Sequence, residues 1–219
     1  MPIIPTPVSP DSLANCVAHL RSGALAIIPT DTVYGIVADA SNEEAVRALY
    51  AAKGKGETAP LQLLFAPDMA SVAKFADLGV DARQLIEALG PGGWTVIAQA
   101  TPGWESPVLA GGRTVGVRIP DAPVVWAIVS ALGNPLAASS ANRHGAASST
   151  TCAQAVNEVG AFCAIALDGG PPPAGLDSTV VDCSADGHAR ILREGAIDRR
   201  TVARILGLSG IPVLRSVRT

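Results

Sequence analysis

Three short polar stretches carry side chains suited to holding an anion or an amine. Pro29-Thr30-Asp31-Thr32-Val33-Tyr34-Gly35 follows an apolar run and gathers two hydroxyls and a carboxylate in one turn. Such a set could hold the amine or hydroxyl of a small substrate, and it could equally satisfy the turn's own backbone. Lys53-Gly54-Lys55-Gly56 closes a helix-like segment. Two cations separated by glycine could meet phosphate oxygens at close backbone approach, or simply complement the negative end of a helix. Ser139-Ser140-Ala141-Asn142-Arg143 offers hydroxyl, amide and guanidinium groups directly after another apolar run. Arg118 is embedded in Val115-Gly116-Val117-Arg118-Ile119, where an unpaired guanidinium would be costly, so it calls for a partner. Asp168-Gly169-Gly170, Asp177-Ser178-Thr179 and Arg193-Glu194-Gly195 again lie beside short apolar runs. No one stretch is specific. Together they point to a phosphate-bearing ligand held at the ends of strands, where α/β sheets place ligands.

Other chemistries lack their residues. Gly54-Lys55-Gly56 is not a phosphate loop, because Tyr50 stands where the first glycine is needed and Gly56 where Ser or Thr is needed. There is no G-x-G-x-x-G and no G-x-S-x-G. Cys16, Cys152, Cys163 and Cys183 form no Cys-x-x-Cys pair, and with His19, His144 and His188 they give no zinc spacing. They read as reduced, buried thiols. The net charge of −3 and 4% aromatic content supply neither a general basic field nor stacking platforms for nucleic acid. With 48% apolar and 16% charged residues, disorder and coiled coil are excluded. No apolar run reaches the ~20 residues of a membrane span, and the N-terminus lacks a basic leader. A soluble cytoplasmic protein is expected.

The elements that must position these groups alternate between β-like and α-like. Ser9-Pro10-Asp11 opens a helix ending at Gly23, Ser41-Asn42-Glu43-Glu44 reads as a capping box for a second, and Asp81 to Leu89 forms a third. Asp121 is expected to cap a helix to about Leu132, Thr151 with Gln154 one to about Val159, and Asp198 one to Leu206. Strands are expected at Leu25–Ile28, Leu61–Phe65, Thr95–Ala98, Val115–Ile119, Pro135–Ser139, Ala164–Leu167, Thr179–Val181 and Ile191–Leu192. The 219 residues fit one α/β domain over 9–207, with an extended segment at 1–8 and a tail at 208–219.

The order Pro-Thr-Asp-Thr-Val-Tyr-Gly, Lys-x-Lys, Pro91-Gly92-Gly93-Trp94-Thr95, Val-Arg-Ile-Pro, Ser-Ala-Asn, Asp-Gly-Gly, Ser-Thr-Val-Val-Asp and Leu-Arg-Glu-Gly resembles the YrdC-like family, from about residue 10 to 207. The resemblance implies a twisted, mostly open mixed sheet flanked by helices around a concave electropositive cavity. It further implies L-threonylcarbamoyladenylate synthase activity, in which L-threonine, bicarbonate (or CO₂) and ATP give threonylcarbamoyl-AMP and pyrophosphate with Mg²⁺. A separate transferase complex then uses the product to modify an adenosine of certain tRNAs. By the same resemblance Thr32, Arg118, Ala138 and Ser178 face L-threonine. Lys55, Thr114, Ser140, Asn142, Ser148 and Arg193 face ATP, and Lys53, Lys55 and Arg118 act in catalysis.

The chain departs from the family pattern in places. Lys55 and Gly56 replace an arginine and a proline, Leu64 stands where some members have a histidine, and Gly93-Trp94 replaces Pro-Leu. Lysine keeps the charge but not the bidentate fork. A carbamate is already an oxyanion, so the reaction needs placement and charge cancellation rather than a Ser or Cys nucleophile. On this reading Arg118→Ala abolishes turnover and leaves the fold intact. A relative of shifted substrate and an RNA-binding module are the alternatives.

Overall fold

The structure, a computed structural model, describes residues 3–54, 56 and 60–208. The helices begin where local chemistry caps them. α1 (Pro10–Arg21) opens on a reciprocal cap in which Ser9 accepts from the Ser12 N–H and Ser12 accepts from the Ser9 N–H. α2 (Glu43–Ala52) is capped not by Ser41 but by Asn42, whose Oδ1 accepts from the Ala45 N–H, while the Ser41 hydroxyl turns to Asp39. α3 (Met69–Val72) and α4 (Val80–Leu89) follow. α5 (Pro123–Leu132) has no side-chain cap; Asp121 stands one residue too early, and Pro123 at the first position fixes the start. Thr151 caps α6 (Cys152–Val159) and Asp198 caps α7 (Arg199–Ile205).

Eleven strands pair in one mixed sheet among the described residues. They are β1 (Pro5–Pro7), β2 (Leu25–Ile28), β3 (Gly35–Asp39), β4 (Gln62–Leu64), β5 (Ala76–Asp77), β6 (Trp94–Ala100), β7 (Thr114–Arg118), β8 (Leu136–Ser140), β9 (Cys163–Asp168), β10 (Thr179–Asp182) and β11 (Arg190–Arg193). The order across the sheet is β1-β9-β2-β3-β8-β4-β7-β6-β10-β11, with β5 on β6. Within the N-terminal segment, β1 is thus an edge strand, parallel to β9. β3, β5 and α3 have no counterpart in the sequence reading. β3 is hidden because all five of its residues are buried, which removes the alternation that betrays a half-exposed strand.

Helices cover the two faces of the sheet unequally. α2, α4 and α6 lie over one face, where Leu63, Val96, Val115, Val117 and Val181 join the larger core. On the other face α1 and α5 pack together over β9, β2, β3 and β8, burying Leu20, Ile28, Val37, Ile128 and Leu167. Beyond β8 that second face has no helix from this layer. Strand alternation therefore sends Thr114, Gly116 and Arg118 of β7, and Thr95 and Ile97 of β6, into an open hollow.

The four cysteines are all free and buried. Burial pushes the Cys16, Cys163 and Cys183 thiols up to about 12 and Cys152 up to about 11, so the thiolate that reacts is scarce at neutral pH. A thiol-reactive chromogenic disulfide at pH 8 should label the folded chain slowly and label all four cysteines at once in denaturant; fast labelling of the folded chain would contradict this packing. A second prediction concerns Thr179, fully buried at the start of β10. Its Oγ1 accepts from the Gly195 and Ile197 N–H groups and donates to the Ile197 carbonyl, tying the segment after β11 to the sheet. Thr179→Val leaves those groups unmatched, and urea denaturation should show a loss of about 1–3 kcal/mol.

Candidate active site

The hollow is a cavity of about 480 Å³. Its floor is the uncovered face of β4, β7, β6 and β10, and its walls are the Thr30–Gly35 turn, the end of β8 and residues 177–178. The polar groups therefore lie across a sheet face as well as at strand ends. Among the described residues its lining carries two guanidiniums, Arg118 and Arg193, and two carboxylates, Asp177 and Asp182.

Arg118 ends β7 and is only 3% exposed. Its Nη2 donates to Asp31 Oδ1 at 2.5 Å and to Thr32 Oγ1 at 2.8 Å, and its Nε donates to the Gly92 carbonyl at 3.3 Å. Burial pulls the guanidinium's pKa down, and Asp31 opposes that shift; the group stays charged. Nη1 makes no hydrogen bond among the described residues, yet no buried side-chain nitrogen is left without a partner there. Nη1 therefore opens on the cavity, already oriented by the other two nitrogens.

The turn that presents Asp31 and Thr32 is itself pinned. Thr30 Oγ1 donates to the Val33 carbonyl at 2.7 Å and lies 3.1 Å from Thr32 Oγ1. Behind it the Tyr34 hydroxyl reaches the Gly170 carbonyl at 2.7 Å and Asp168 at 3.1 Å, and accepts from the Gly169 N–H. Burial pushes this phenol well above its ordinary value, so it serves as a neutral clamp. Gly93 explains one departure from the family pattern. A β-carbon there would come within 2.6 Å of the Ala196 Cβ and 3.2 Å of Thr32 Cγ2, so glycine lets the loop close against Thr32.

At the other side of the hollow Arg193 donates through Nε to the Ser178 carbonyl at 3.0 Å and through Nη2 to Ser178 Oγ at 3.1 Å. Its Nη1 lies 3.7 Å from Asp177. Ser178 Oγ is 2.9 Å from Thr95 Oγ1, which donates to Gln62 Oε1 at 2.9 Å.

Thr32, Thr114, Arg118, Ala138, Ser140, Ser178 and Arg193 thus meet in one cavity. Ala138 is a mid-strand residue of β8 between Val37 and Gln62. Lys53 and Asn142 are not in the lining. The Lys53 ammonium, 6% exposed, donates to the carbonyls of Ser140 and Asn142 and to Asn142 Oδ1, while the Asn142 amide donates to the Arg143 and Ala146 carbonyls. A buried ammonium seeks oxygen, and here the oxygens belong to the last residue of β8 and the loop that follows it, so Lys53 and Asn142 shape that turn from behind. Ser148 likewise donates to Asp177 Oδ1 at 2.8 Å and positions a wall residue. Lys55 lies outside the described residues. Asp177, read from sequence only within the polar stretch Asp177-Ser178-Thr179, also lines the cavity, as do Gln62 and Thr95, which were not singled out from sequence. The alternation of polar Gln62 and Thr95 with buried neighbours is the one signal that could have found them.

The family model Sua5/YciO/YrdC, described as telomere recombination, matches residues 18–195. The chain is 35% identical over 200 residues to the threonylcarbamoyl-AMP synthase of Bacillus subtilis (strain 168), covering 89% of this chain and 56% of that protein. It is 33% identical over 199 residues to the threonylcarbamoyl-AMP synthase of Mus musculus, covering 88% of this chain and 70% of the other. The crystal structure of P. abyssi Sua5 complexed with L-threonine superposes with a TM-score of 0.89 at 25% identity, over 99% of this chain and 64% of that one. The chain thus spans little more than half the length of the Bacillus subtilis relative. With its motifs in the family's order and the match running through every wall of the cavity, this chain belongs to the Sua5/YciO/YrdC family.

Proposed function

We propose that the chain is an L-threonylcarbamoyladenylate synthase, joining L-threonine, bicarbonate and ATP into threonylcarbamoyl-AMP and pyrophosphate. The observation that carries this is Arg118: a buried guanidinium, oriented by Asp31 and Thr32, with one nitrogen open to a cavity whose opposite wall holds Arg193. The first cation suits the carboxylate of an amino acid and the second the phosphates of a nucleotide. The relatives named threonylcarbamoyl-AMP synthase support the same pairing.

In this mechanism the L-threonine carboxylate takes the open edge of Arg118, and Thr32 and Ser178 bound its side chain. Arg193, Ser140, Thr114 and Lys55 meet the nucleotide. The amine forms a bond to the bicarbonate carbon with loss of water, and a carbamate oxygen attacks the α-phosphorus as the bond to pyrophosphate breaks. The protein's part is orientation and charge cancellation between pre-placed cations. A Mg²⁺ bound with ATP would supply further charge cancellation on the phosphates. Among the described residues no three His, Cys, Asp or Glu cluster as a dedicated cage. The oxygens of Asp177, Ser140 and Ser178 in the lining fit a hard cation that keeps phosphates and water as its main ligands. The product is a labile mixed anhydride, so a downstream transferase acting on tRNA would consume it. Four buried free thiols suit a reducing compartment such as the cytoplasm. No helix among the described residues is long and apolar enough to cross a membrane.

A synthase of shifted amino-acid specificity is the second reading, because Leu64 lines the cavity where some family members carry histidine. Pyrophosphate release from ATP with Mg²⁺ and bicarbonate, with and without each of several amino acids, separates the two. Release dependent on L-threonine, with a nucleotide product of threonylcarbamoyl-AMP mass, is expected. Release with a different amino acid would favour the second reading, and none at all would defeat both.

The Asp31 pairing corrects the expectation that Arg118→Ala spares the fold. Stripping one partner from a buried ion pair costs about 3–5 kcal/mol. Arg118→Lys keeps a charge against Asp31 and loses the fork. It should fold and lower kcat/KM for L-threonine about 100-fold, and wild-type kinetics in that variant would remove Arg118 from the site.

A further inference from the structure

Gln62 lies on the cavity floor outside every motif the chain shares with the family. It begins β4, in register with Gly116 of β7 and Ala138 of β8. Leu64, on the same face of β4, is in register with Arg118. Gln62 is therefore a diagonal neighbour of Arg118 across the floor, roughly 7–8 Å away by strand geometry. Gly116 makes the place possible. A β-carbon there would lie 3.1 Å from both the Cα and Cβ of Gln62 and 3.3 Å from Thr95 Cγ2. The floor between Gln62 and Arg118 thus carries no side chain from β7.

The hydrogen bonds reaching Gln62 run in one direction. Arg193 can only donate, and its Nη2 gives a proton to Ser178 Oγ. Thr95 spends its proton on Gln62 Oε1 at 2.9 Å. The proton between the two hydroxyls, 2.9 Å apart, must then be that of Ser178. With Thr95 donating to Oε1, the relay from Arg193 ends on the amide oxygen. Oε1 is held against Thr95. Nε2 makes no hydrogen bond among the described residues, where no buried side-chain nitrogen lacks a partner, so it turns two N–H donors to the cavity.

Two neutral donors in that place suit an oxyanion that must still react. An amino acid anchored by its carboxylate on Arg118 sets its amine one carbon further along, and the carboxyl group added to that amine comes next. We propose that Gln62 binds this bicarbonate-derived carboxyl group and holds it towards the α-phosphate. A guanidinium there would form a stronger, charge-assisted bond and draw off the electron density the attacking oxygen needs; an amide orients it without that loss. Gln62 transfers no proton: the amine nitrogen bonds to the bicarbonate carbon, water departs, and the carbamate oxygen displaces pyrophosphate. The assignment rests on the synthase reading above.

Gln62→Glu keeps the shape and the acceptor for Thr95 and replaces only the cavity-facing donors by an oxygen; Gln62→Leu removes both ends. Threonine-dependent pyrophosphate release is measured in degassed buffer across a bicarbonate series at saturating ATP and Mg²⁺, for the wild-type chain and both variants. L-Threonine binding is read separately by calorimetry without bicarbonate. The apparent KM for bicarbonate should rise at least tenfold in Gln62→Leu and further in Gln62→Glu, with L-threonine affinity within twofold of wild type. A rise below threefold in Gln62→Glu overturns the assignment, as does a loss of L-threonine affinity that accounts for the lost turnover. If Gln62→Leu does not fold, the isosteric variant decides alone. A wild-type chain without threonine-dependent release overturns the synthase reading and this assignment with it. An active wild type with unaltered variants overturns the assignment alone.

Discussion

A guanidinium placed on the buried floor of a hollow has to be matched by charge and by hydrogen-bond acceptors, and much of this structure is arranged around matching Arg118. The carboxylate of Asp31, the hydroxyl of Thr32 and the carbonyl of Gly92 come from two separate loops. Those loops are fixed in turn by Tyr34 on the Asp168-Gly169-Gly170 segment and by the close approach of Gly93 to Ala196. One buried cation thereby ties together four regions far apart in sequence. Buried pairs of this kind add little net stability, because desolvation offsets the attraction. What the arrangement secures is orientation, a cation already aimed into the cavity.

The hollow is a consequence of uneven covering. α1 and α5 close one half of a sheet face, and the strands beyond β8 keep their side chains turned to open space. Period-two alternation then does two things at once along β6, β7 and β10. Val96, Val115, Val117 and Val181 stabilise the sheet from below, and Thr95, Arg118 and Val180 furnish the cavity from above. Groups on strands are held more firmly than groups on loops, which suits a reaction that depends on placement rather than on a nucleophile. The relay from Arg193 through Ser178 and Thr95 to Gln62 extends that order across three strands.

Much of the fold was legible in the sequence because its punctuation is local. Ser9, Thr151 and Asp198 cap helices through groups two or three residues away, and such chemistry can be read from spacing alone. β3 could not be read, since a strand buried on both faces shows no alternation. The mixed sheet followed from the alternating elements and from the family resemblance. The site was legible as a set of residue types but not as a geometry. Arg118 visibly needed a partner, yet Asp31 is 87 residues away along the chain. Lys53 reads from sequence as a phosphate contact or a helix-end charge, whereas oxygens it reaches lie 87 and 89 residues on, at the end of β8 and just beyond it. Gln62, one polar residue in an apolar run, offers only its alternation with buried neighbours, and its place in the site emerges when the sheet register sets it beside Gly116.

In the proposed synthase Arg118 anchors the amino-acid carboxylate. Calorimetric titration of the full chain with L-threonine and with L-threoninol, which keeps the amine and hydroxyl but lacks the carboxylate, tests that most directly. Binding of L-threonine with at least a 50-fold weaker response to L-threoninol is the predicted result. Equal affinity for the two would show that the guanidinium does not hold the carboxylate, and would contradict the account.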